Sequence, residues 1–209
     1  MPFVDEEGIG LLGICAGGGY AVSAAMIERR FKAVGTVVTN DIGTSCRRMG
    51  NAGDGVEQLL ADIGRQRSAE ARGAAAKREQ WLQIPEQARA AGIEDPSTHN
   101  AIDFYMTERG ASDTRTNQRL STSDALVIGY DAFHLVGERL VQPVQIIVGG
   151  KLGTTFSYEA SKSLWERARN RRDFVVIDGA DHYDLYDKPQ YVDPAVASLA
   201  AHFDTCLPE

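Results

Sequence analysis

The strongest constraint on the fold of this chain is a tight turn encoded by residues 13–17, which read GICAG. The turn follows a short apolar run over residues 9–14, whose length is typical of a buried strand. A helical stretch comes next, which we expect over residues 20–30. A strand that turns sharply into a helix needs glycine two positions to either side of the central residue, Cys15. The pattern predicts that the Cys15 side chain stands exposed at the end of the strand.

The chemistry expected of Cys15 follows from its place before a helix. A helix N-terminus carries partial positive charge that stabilises an anion, and it can lower the pKa of a thiol from about 8.5 into the reactive range. The backbone N–H of Ala16 would point at the oxygen of a carbonyl group under attack. The alternative is a small cysteine that is simply buried in the turn. The flanking glycines favour the interpretation of Cys15 as a nucleophile.

A nucleophile needs a base, and His182 is the candidate. It ends residues 177–182 (IDGADH), directly after the last predicted strand. Catalytic groups of open α/β sheets collect at the carboxyl ends of the strands. Cys15 also follows the carboxyl end of its own strand, so the two side chains can meet although they are far apart in the sequence. The alternative is a surface-loop histidine without a catalytic role.

Competing motifs do not favour a cofactor. Gly8, Gly10 and Gly13 spell the dinucleotide-binding pattern, and Asp41 ends the next predicted strand, where a ribose-binding acid could lie. These glycines, however, lie within the first strand rather than after it, and the helix opens only later. The three cysteines include no C-x-x-C pair, so we expect neither a disulfide framework nor a metal site.

The order of elements predicts an α/β fold with a parallel sheet. We expect the first part of the α/β core over residues 1–40, a helical insertion over 41–139 and the second part of the core over 140–209. Within the insertion, Asp95 and Pro96 indicate a helix start. The remaining predicted elements are strands at 33–39, 144–148 and 174–177 and helices at 157–171 and 193–203.

Composition excludes several classes of protein. The 209 residues carry a net charge of −7, which disfavours nucleic-acid binding because that needs a basic surface. The acidic N-terminal segment lacks the basic start of a signal peptide, and no apolar run approaches a membrane span of roughly 18 residues. We therefore expect a cytoplasmic protein that binds neither nucleic acid nor membranes.

Residues 13–18 (GICAGG), the order nucleophile then histidine, and residues 180–189 (ADHYDLYDKP) resemble the α/β-hydrolase superfamily. The likeness is greatest to bacterial dienelactone-hydrolase-like and peptidase-like members, and residues 103–107 and 130–135 also look like that branch. The resemblance implies acyl transfer on a small-molecule ester, thioester or lactone, with Cys15 as nucleophile and His182 as base.

The chain departs from this family in two respects. The loop at residues 149–155, where the family usually has its acid, lacks a carboxylate, so the alternative position Asp41 is the expected acid. The chain also begins almost at the strand before Cys15, so the family's earlier strands are missing. If the product is complete, that strand exposes an edge, and a homo-oligomer or a catalytically weak binding module is the alternative to an active hydrolase.

Overall fold

The computed structural model describes residues 5–49, 54–110, 112 and 117–208. Part of the expectation about the start of the chain rests on residues 1–4, which lie outside the described residues. The chain forms two compact units, one from Met1–Asp41 with Asp131–Glu209 and the other from Ile42–Tyr130. The second unit falls within the limits of the predicted insertion.

Strands and helices alternate in the first unit, whereas the second unit is mainly helical. In the described part of the chain the strands are β1 (Ile9–Ile14), β2 (Phe31–Val37), β3 (Arg78–Gln80), β4 (Gln118–Leu120), β5 (Val144–Gly149) and β6 (Arg171–Ile177). The α-helices are α1 (Ala16–Ala25), α2 (Ile42–Met49), α3 (Asp54–Ala71), α4 (Pro85–Ala90), α5 (Pro96–Met106), α6 (Asp124–Ile128), α7 (Val136–Arg139), α8 (Ser157–Arg167), α9 (Asp184–Asp187) and α10 (Pro189–Cys206). None of these helices is both long and apolar enough to cross a membrane.

The sheet of the first unit is parallel throughout, in the order β1-β2-β5-β6. This confirms the predicted α/β fold with a parallel sheet. Ile14 pairs with Val37 and Gly149 pairs with Ile177, so neighbouring strands end side by side. β1 lies at one edge of this sheet, and oligomerisation through that edge stays a prediction.

The core of the first unit holds the loop after β6 against the sheet. β5 is buried along its whole length, as expected for a central strand covered on both faces. A buried cluster joins Ile147 of β5 and Ile177 of β6 to Leu185 of α9 and Leu199 of α10. Because Leu185 belongs to this cluster, the segment that carries His182 is fixed by core packing.

Two helices begin earlier than the sequence predicts. α1 starts at Ala16 and includes glycines that favour coil, because Gly18 and Gly19 are buried and packing outweighs their low propensity. α10 starts at Pro189 rather than at residue 193. Proline suits the first helical position, where its missing N–H is not needed. The second proline, Pro194, therefore lies inside the helix instead of starting it.

The second unit contains an element that the sequence analysis does not predict. β3 and β4 pair antiparallel, with Arg78 opposite Leu120. Strands of three residues are too short to show alternation in the sequence. The guanidinium of Arg119 donates from Nε to the Asp124 carboxylate at 2.8 Å and so ties β4 to α6.

The predicted start of α5 is confirmed, and it yields a test of stability. The Asp95 carboxylate accepts hydrogen bonds from the Thr98 N–H and hydroxyl, each at 2.7 Å. Asp95→Ala removes this cap and should lower the free energy of unfolding by about 1 kcal/mol. Urea denaturation would measure the change. Asp95→Asn, which keeps a capping oxygen, serves as the control, and equal losses in the two variants would contradict the capping role.

Candidate active site

Cys15 occupies the turn between β1 and α1 in a backbone conformation that side chains rarely adopt. Its φ is 54° and its ψ is −128°, in the region that usually requires glycine. The Cys15 N–H donates to the Val37 carbonyl at 3.0 Å, and the Cys15 carbonyl accepts from the N–H groups of Gly18 and Asn40, each at 2.9 Å. The turn is therefore held by the end of β2 and by the first turn of α1.

The glycines around Cys15 do not share one role. A Cβ on Gly13 would lie 2.5 Å from the Gly18 Cα and close to the Gly17 carbonyl oxygen, whereas a Cβ on Gly17 would meet nothing within 4 Å. On the helix side the close approach is at Gly18, where a Cβ would lie 2.6 Å from the Thr39 Cβ. The expected steric requirement is confirmed for Gly13 and is wrong for Gly17, because position 17 faces open space.

His182 lies in a turn that its neighbours fix by hydrogen bonds. The Asp181 carboxylate accepts from the N–H groups of Tyr183 and Asp184, each at 2.8 Å. The Asp184 carboxylate accepts from the Asp181 N–H at 3.1 Å. Gly179 opens the turn with a φ of 74°. These contacts hold the His182 side chain in one position at the carboxyl end of β6.

The His182 ring is buried, with 7% of its surface exposed, and hydrogen-bonded at both nitrogens. Nδ1 lies 2.9 Å from the Ser157 Oγ, and Nε2 lies 2.8 Å from the Tyr186 hydroxyl. Burial lowers the pKa of His182 to about 4, because a buried imidazolium loses its hydration. The imidazole is therefore neutral at pH 7 and can accept a proton.

The Cys15 thiol is half-buried and accepts polar contacts from two sides. The Tyr186 side chain and the Ala16 N–H both hydrogen-bond to the sulfur, and both oppose the effect of burial on its pKa. Burial is the larger influence and raises the pKa of Cys15. The Ala16 N–H at the helix N-terminus acts in the expected direction, but the expected net lowering of the Cys15 pKa is wrong, because desolvation of the thiolate outweighs these contacts.

Two of the predicted site residues, Cys15 and His182, thus contact the same side chain. Cys15 and His182 both hydrogen-bond to the Tyr186 side chain. The Ala16 N–H hydrogen-bonds to the Cys15 sulfur. Asp41 is buried, with 4% exposure, and its carboxylate accepts from the Ala132 N–H at 3.2 Å. The Nδ1 side of His182 faces a hydroxyl group, Ser157, instead.

Ser157 is part of a polar network that sequence analysis missed. Its Oγ lies 3.1 Å from the Thr155 hydroxyl, and the Thr155 carbonyl accepts from the Asn40 side-chain amide at 2.7 Å. Ser157 begins α8 directly after Phe156, which has a left-handed conformation. The sequence signal was weak, because a serine at a helix start usually indicates a cap. Tyr186 lies in α9, whereas His182 lies in the turn before that helix, so helical spacing gives no sequence signal for their contact.

Among the residues that the structure describes, no group of three or more His, Cys, Asp or Glu side chains is arranged to hold a metal ion. The chemistry available at this site is that of a thiol, an imidazole, hydroxyl groups and backbone N–H donors. Such a set suits nucleophilic attack with proton transfer.

Comparison with known proteins gives relatives along nearly the whole chain. No protein-family profile matches it. The uncharacterized protein YcjY of Escherichia coli is 31% identical over 99% of this chain and 67% of its own length. The uncharacterized protein PA2218 of Pseudomonas aeruginosa is 26% identical over 90% of this chain and 50% of its own. The chain thus spans between half and two thirds of these relatives.

Solved structures give the fold. The crystal structure of PA2218 superposes with a TM-score of 0.86 at 24% identity, covering 99% of this chain and 63% of that one. The α/β hydrolase GrgF from Penicillium sp. sh18 superposes with a TM-score of 0.73 at 14% identity, covering 98% of this chain and 65% of that one. The parallel sheet and its helices therefore form an α/β-hydrolase fold.

The two motif glycines should respond to alanine in opposite ways. Gly13→Ala forces the backbone of α1 away from β1 and should cost roughly 1–3 kcal/mol or more. Gly17→Ala enters open space within a helix and should raise stability by roughly 0.5–1 kcal/mol. Thermal unfolding of the two variants measures both effects. Equal destabilisation by both substitutions would contradict the packing described for this turn.

Proposed function

Because the chain belongs to the same protein family as Escherichia coli YcjY and has the α/β-hydrolase fold, we propose that it is a hydrolase with Cys15 as nucleophile and His182 as base. The proposed substrates are small esters, lactones or thioesters, as in dienelactone-hydrolase-like enzymes. The observation that carries the proposal is the pairing of a strained Cys15 with a neutral, buried His182 through one shared side chain.

In the first half of the reaction the Cys15 sulfur attacks the carbonyl carbon of the substrate. The thiol proton passes to His182 Nε2, and the electron pair of the C=O bond moves to the oxygen. The Ala16 N–H lies beside the sulfur, so it can donate to the negative oxygen that forms next to the new S–C bond. The collapse of this intermediate returns the proton to the leaving alcohol or thiol and leaves a thioester on Cys15.

In the second half water takes the place of the thiol. His182 accepts a proton from water as its oxygen attacks the thioester carbon, and it then returns the proton to the departing Cys15 sulfur. The products are a carboxylic acid and the free enzyme. Atoms and electrons balance in both halves of the reaction without an oxidant or a cofactor.

Ser157 and Asp41 have supporting roles in this proposal. In the proposed tautomer the Ser157 oxygen, 2.9 Å from Nδ1, accepts the Nδ1–H, and the lone pair of the neutral ring lies on Nε2. Asp41 holds the Ala132 backbone beside the end of β2, so we assign it to the support of the site rather than to a contact with the imidazole. A hydroxyl group such as that of Ser157 can orient the histidine base well enough for a thiol nucleophile. It would serve a serine nucleophile less well, because a thiol is easier to deprotonate.

Removal of the thiol is the direct test of the proposal. Cys15→Ala should lower the hydrolysis of p-nitrophenyl butyrate by at least about 10³-fold, as loss of a nucleophile does in other hydrolases. Cys46→Ala and Cys206→Ala are matched controls and should keep wild-type rates. Mass spectrometry of wild-type protein quenched with substrate should locate the acyl group on Cys15. Unchanged turnover by Cys15→Ala would instead favour a non-catalytic binding module.

The low pKa of His182 predicts an unusual pH profile. The base must be neutral, and its pKa of about 4 keeps it mostly neutral through pH 5–6, where a histidine with an ordinary pKa of 6.5 is mostly protonated. The acid limb of kcat/KM should therefore fall near pH 4. Initial rates between pH 3.5 and 8, with folding monitored by circular dichroism, would measure it. A limb near pH 6.5 would contradict a buried base.

A further inference from the structure

The contacts of Tyr186 indicate a role in the chemistry of the site in addition to its role in packing. We propose that the Tyr186 hydroxyl is a catalytic group that carries the proton between the Cys15 sulfur and His182 Nε2. This inference rests on the proposed function, since it describes how the nucleophile and base of that function communicate. It adds a third reacting side chain to the thiol and the imidazole.

The geometry places the Tyr186 hydroxyl between the two reactive groups. Its oxygen lies 2.8 Å from His182 Nε2 and is also hydrogen-bonded to Cys15. A phenol can donate one hydrogen bond and accept others at the same oxygen. It can therefore pass a proton from one partner to the other without moving its ring.

The surroundings hold Tyr186 in this position. Tyr186 lies in α9, whereas His182 lies in the turn just before that helix, and the two rings meet edge-on at a centroid distance of 5.4 Å. The Tyr186 ring meets the Tyr183 ring edge-on at a centroid distance of 5.4 Å, and it packs against the core cluster that includes Leu185. A ring fixed on these sides keeps its hydroxyl at the site.

One assignment of the hydrogens gives each of these hydrogen bonds a donor and an acceptor and keeps the lone pair of His182 on Nε2, where it can accept a proton. In the arrangement that the proposal requires, the Nδ1–H of His182 donates to Ser157 and the Tyr186 O–H donates to Nε2, while the S–H of the neutral Cys15 thiol donates to the Tyr186 oxygen. Once the thiolate forms, the Tyr186 O–H donates to the sulfur, which is the contact that lowers the Cys15 pKa. In the opposite arrangement Nε2 carries the hydrogen at the start, and the ring has no lone pair facing the Tyr186 hydroxyl. The hydroxyl of Ser157, which can accept from Nδ1, is compatible with the productive arrangement.

The proposed step is concerted. As the S–C bond forms, the S–H bond breaks and its proton moves to the Tyr186 oxygen, while the Tyr186 proton moves to Nε2. The carbonyl electron pair moves to the substrate oxygen, so the products are a tetrahedral adduct, an imidazolium and a neutral tyrosine. The imidazolium then returns a proton through the Tyr186 hydroxyl to the leaving alcohol or thiol as the C–O or C–S bond to that group breaks, which leaves a thioester on Cys15. A free tyrosinate, whose conjugate acid has a pKa near 10, need not form.

The test is Tyr186→Phe, which keeps the ring and removes the oxygen. It should lower kcat for p-nitrophenyl butyrate by about 10²–10⁴-fold, the usual range for loss of general acid–base catalysis, with little change in KM. Tyr191→Phe is the matched control, because Tyr191 packs on the same core cluster from α10 and should keep wild-type activity. A Tyr186→Phe variant with wild-type kcat would overturn the proposal.

Two further measurements separate proton transfer from a structural role. The rate of hydrolysis in H₂O–D₂O mixtures should curve with deuterium content in the wild type, because two protons move together, and should become linear in Tyr186→Phe. Tyr186→3-fluorotyrosine keeps the packing and the hydroxyl and should retain most of the activity. Inactivity of this variant while it remains folded, or a linear wild-type response, would overturn the relay.

Iodoacetamide labelling distinguishes failure of the relay from failure of the proposed function. Alkylation of Cys15 needs thiol deprotonation but no hydrolysis, so it should slow in Tyr186→Phe while alkylation of Cys206 stays the same. If Cys15→Ala abolishes turnover but Tyr186→Phe alters neither turnover nor labelling, the relay is wrong and the hydrolase remains. If Cys15→Ala retains turnover, both proposals are wrong.

Discussion

The close approach of α1 to the end of β1 is the constraint on which the site depends. At Gly13 the two backbones come closer than any Cβ permits. The chain then has one residue in which to reverse from strand to helix, and Cys15 takes a positive φ to do so. In that conformation the thiol lies beside the first N–H of the helix, that of Ala16. Packing of backbone against backbone therefore determines where the Cys15 sulfur lies.

Strain in this structure is concentrated in the segments that hold the site. Among the described residues, the non-glycine residues with positive φ are Cys15, Val38 and Phe156. Cys15 carries the thiol, Val38 lies just after β2, and Phe156 precedes Ser157. Such conformations cost of order 1–3 kcal/mol each and persist only where surrounding structure enforces them. Here the enforcement comes from the parallel sheet, since the Val38 N–H donates to the Ile147 carbonyl at 2.7 Å.

The sequence predicts the parts of this structure that depend on chain direction and on steric limits at single residues. Cys15 and His182 follow from the rule that parallel strands present their carboxyl ends together, and Gly13 follows from the tightness of the turn. Ser157 and Tyr186 could not be found in this way, because their roles depend on side-chain distances set by buried packing. The same limit applies to the pKa of Cys15: helix position is visible in the sequence, whereas desolvation depends on the folded surroundings.

The protonation states of Cys15 and His182 before substrate binds determine when a thiolate can form in the proposed mechanism. Burial raises the pKa of the thiol and lowers that of the imidazole, so both changes oppose a thiolate–imidazolium pair before substrate arrives. A neutral thiol resists oxidation, because the thiolate is the form that oxidants attack. In the proposed mechanism deprotonation of the thiol therefore accompanies its attack on the substrate, when the negative charge that develops on the substrate oxygen meets the Ala16 N–H. A thiolate of high pKa is also intrinsically more nucleophilic, which offsets part of the cost of forming it in a buried site.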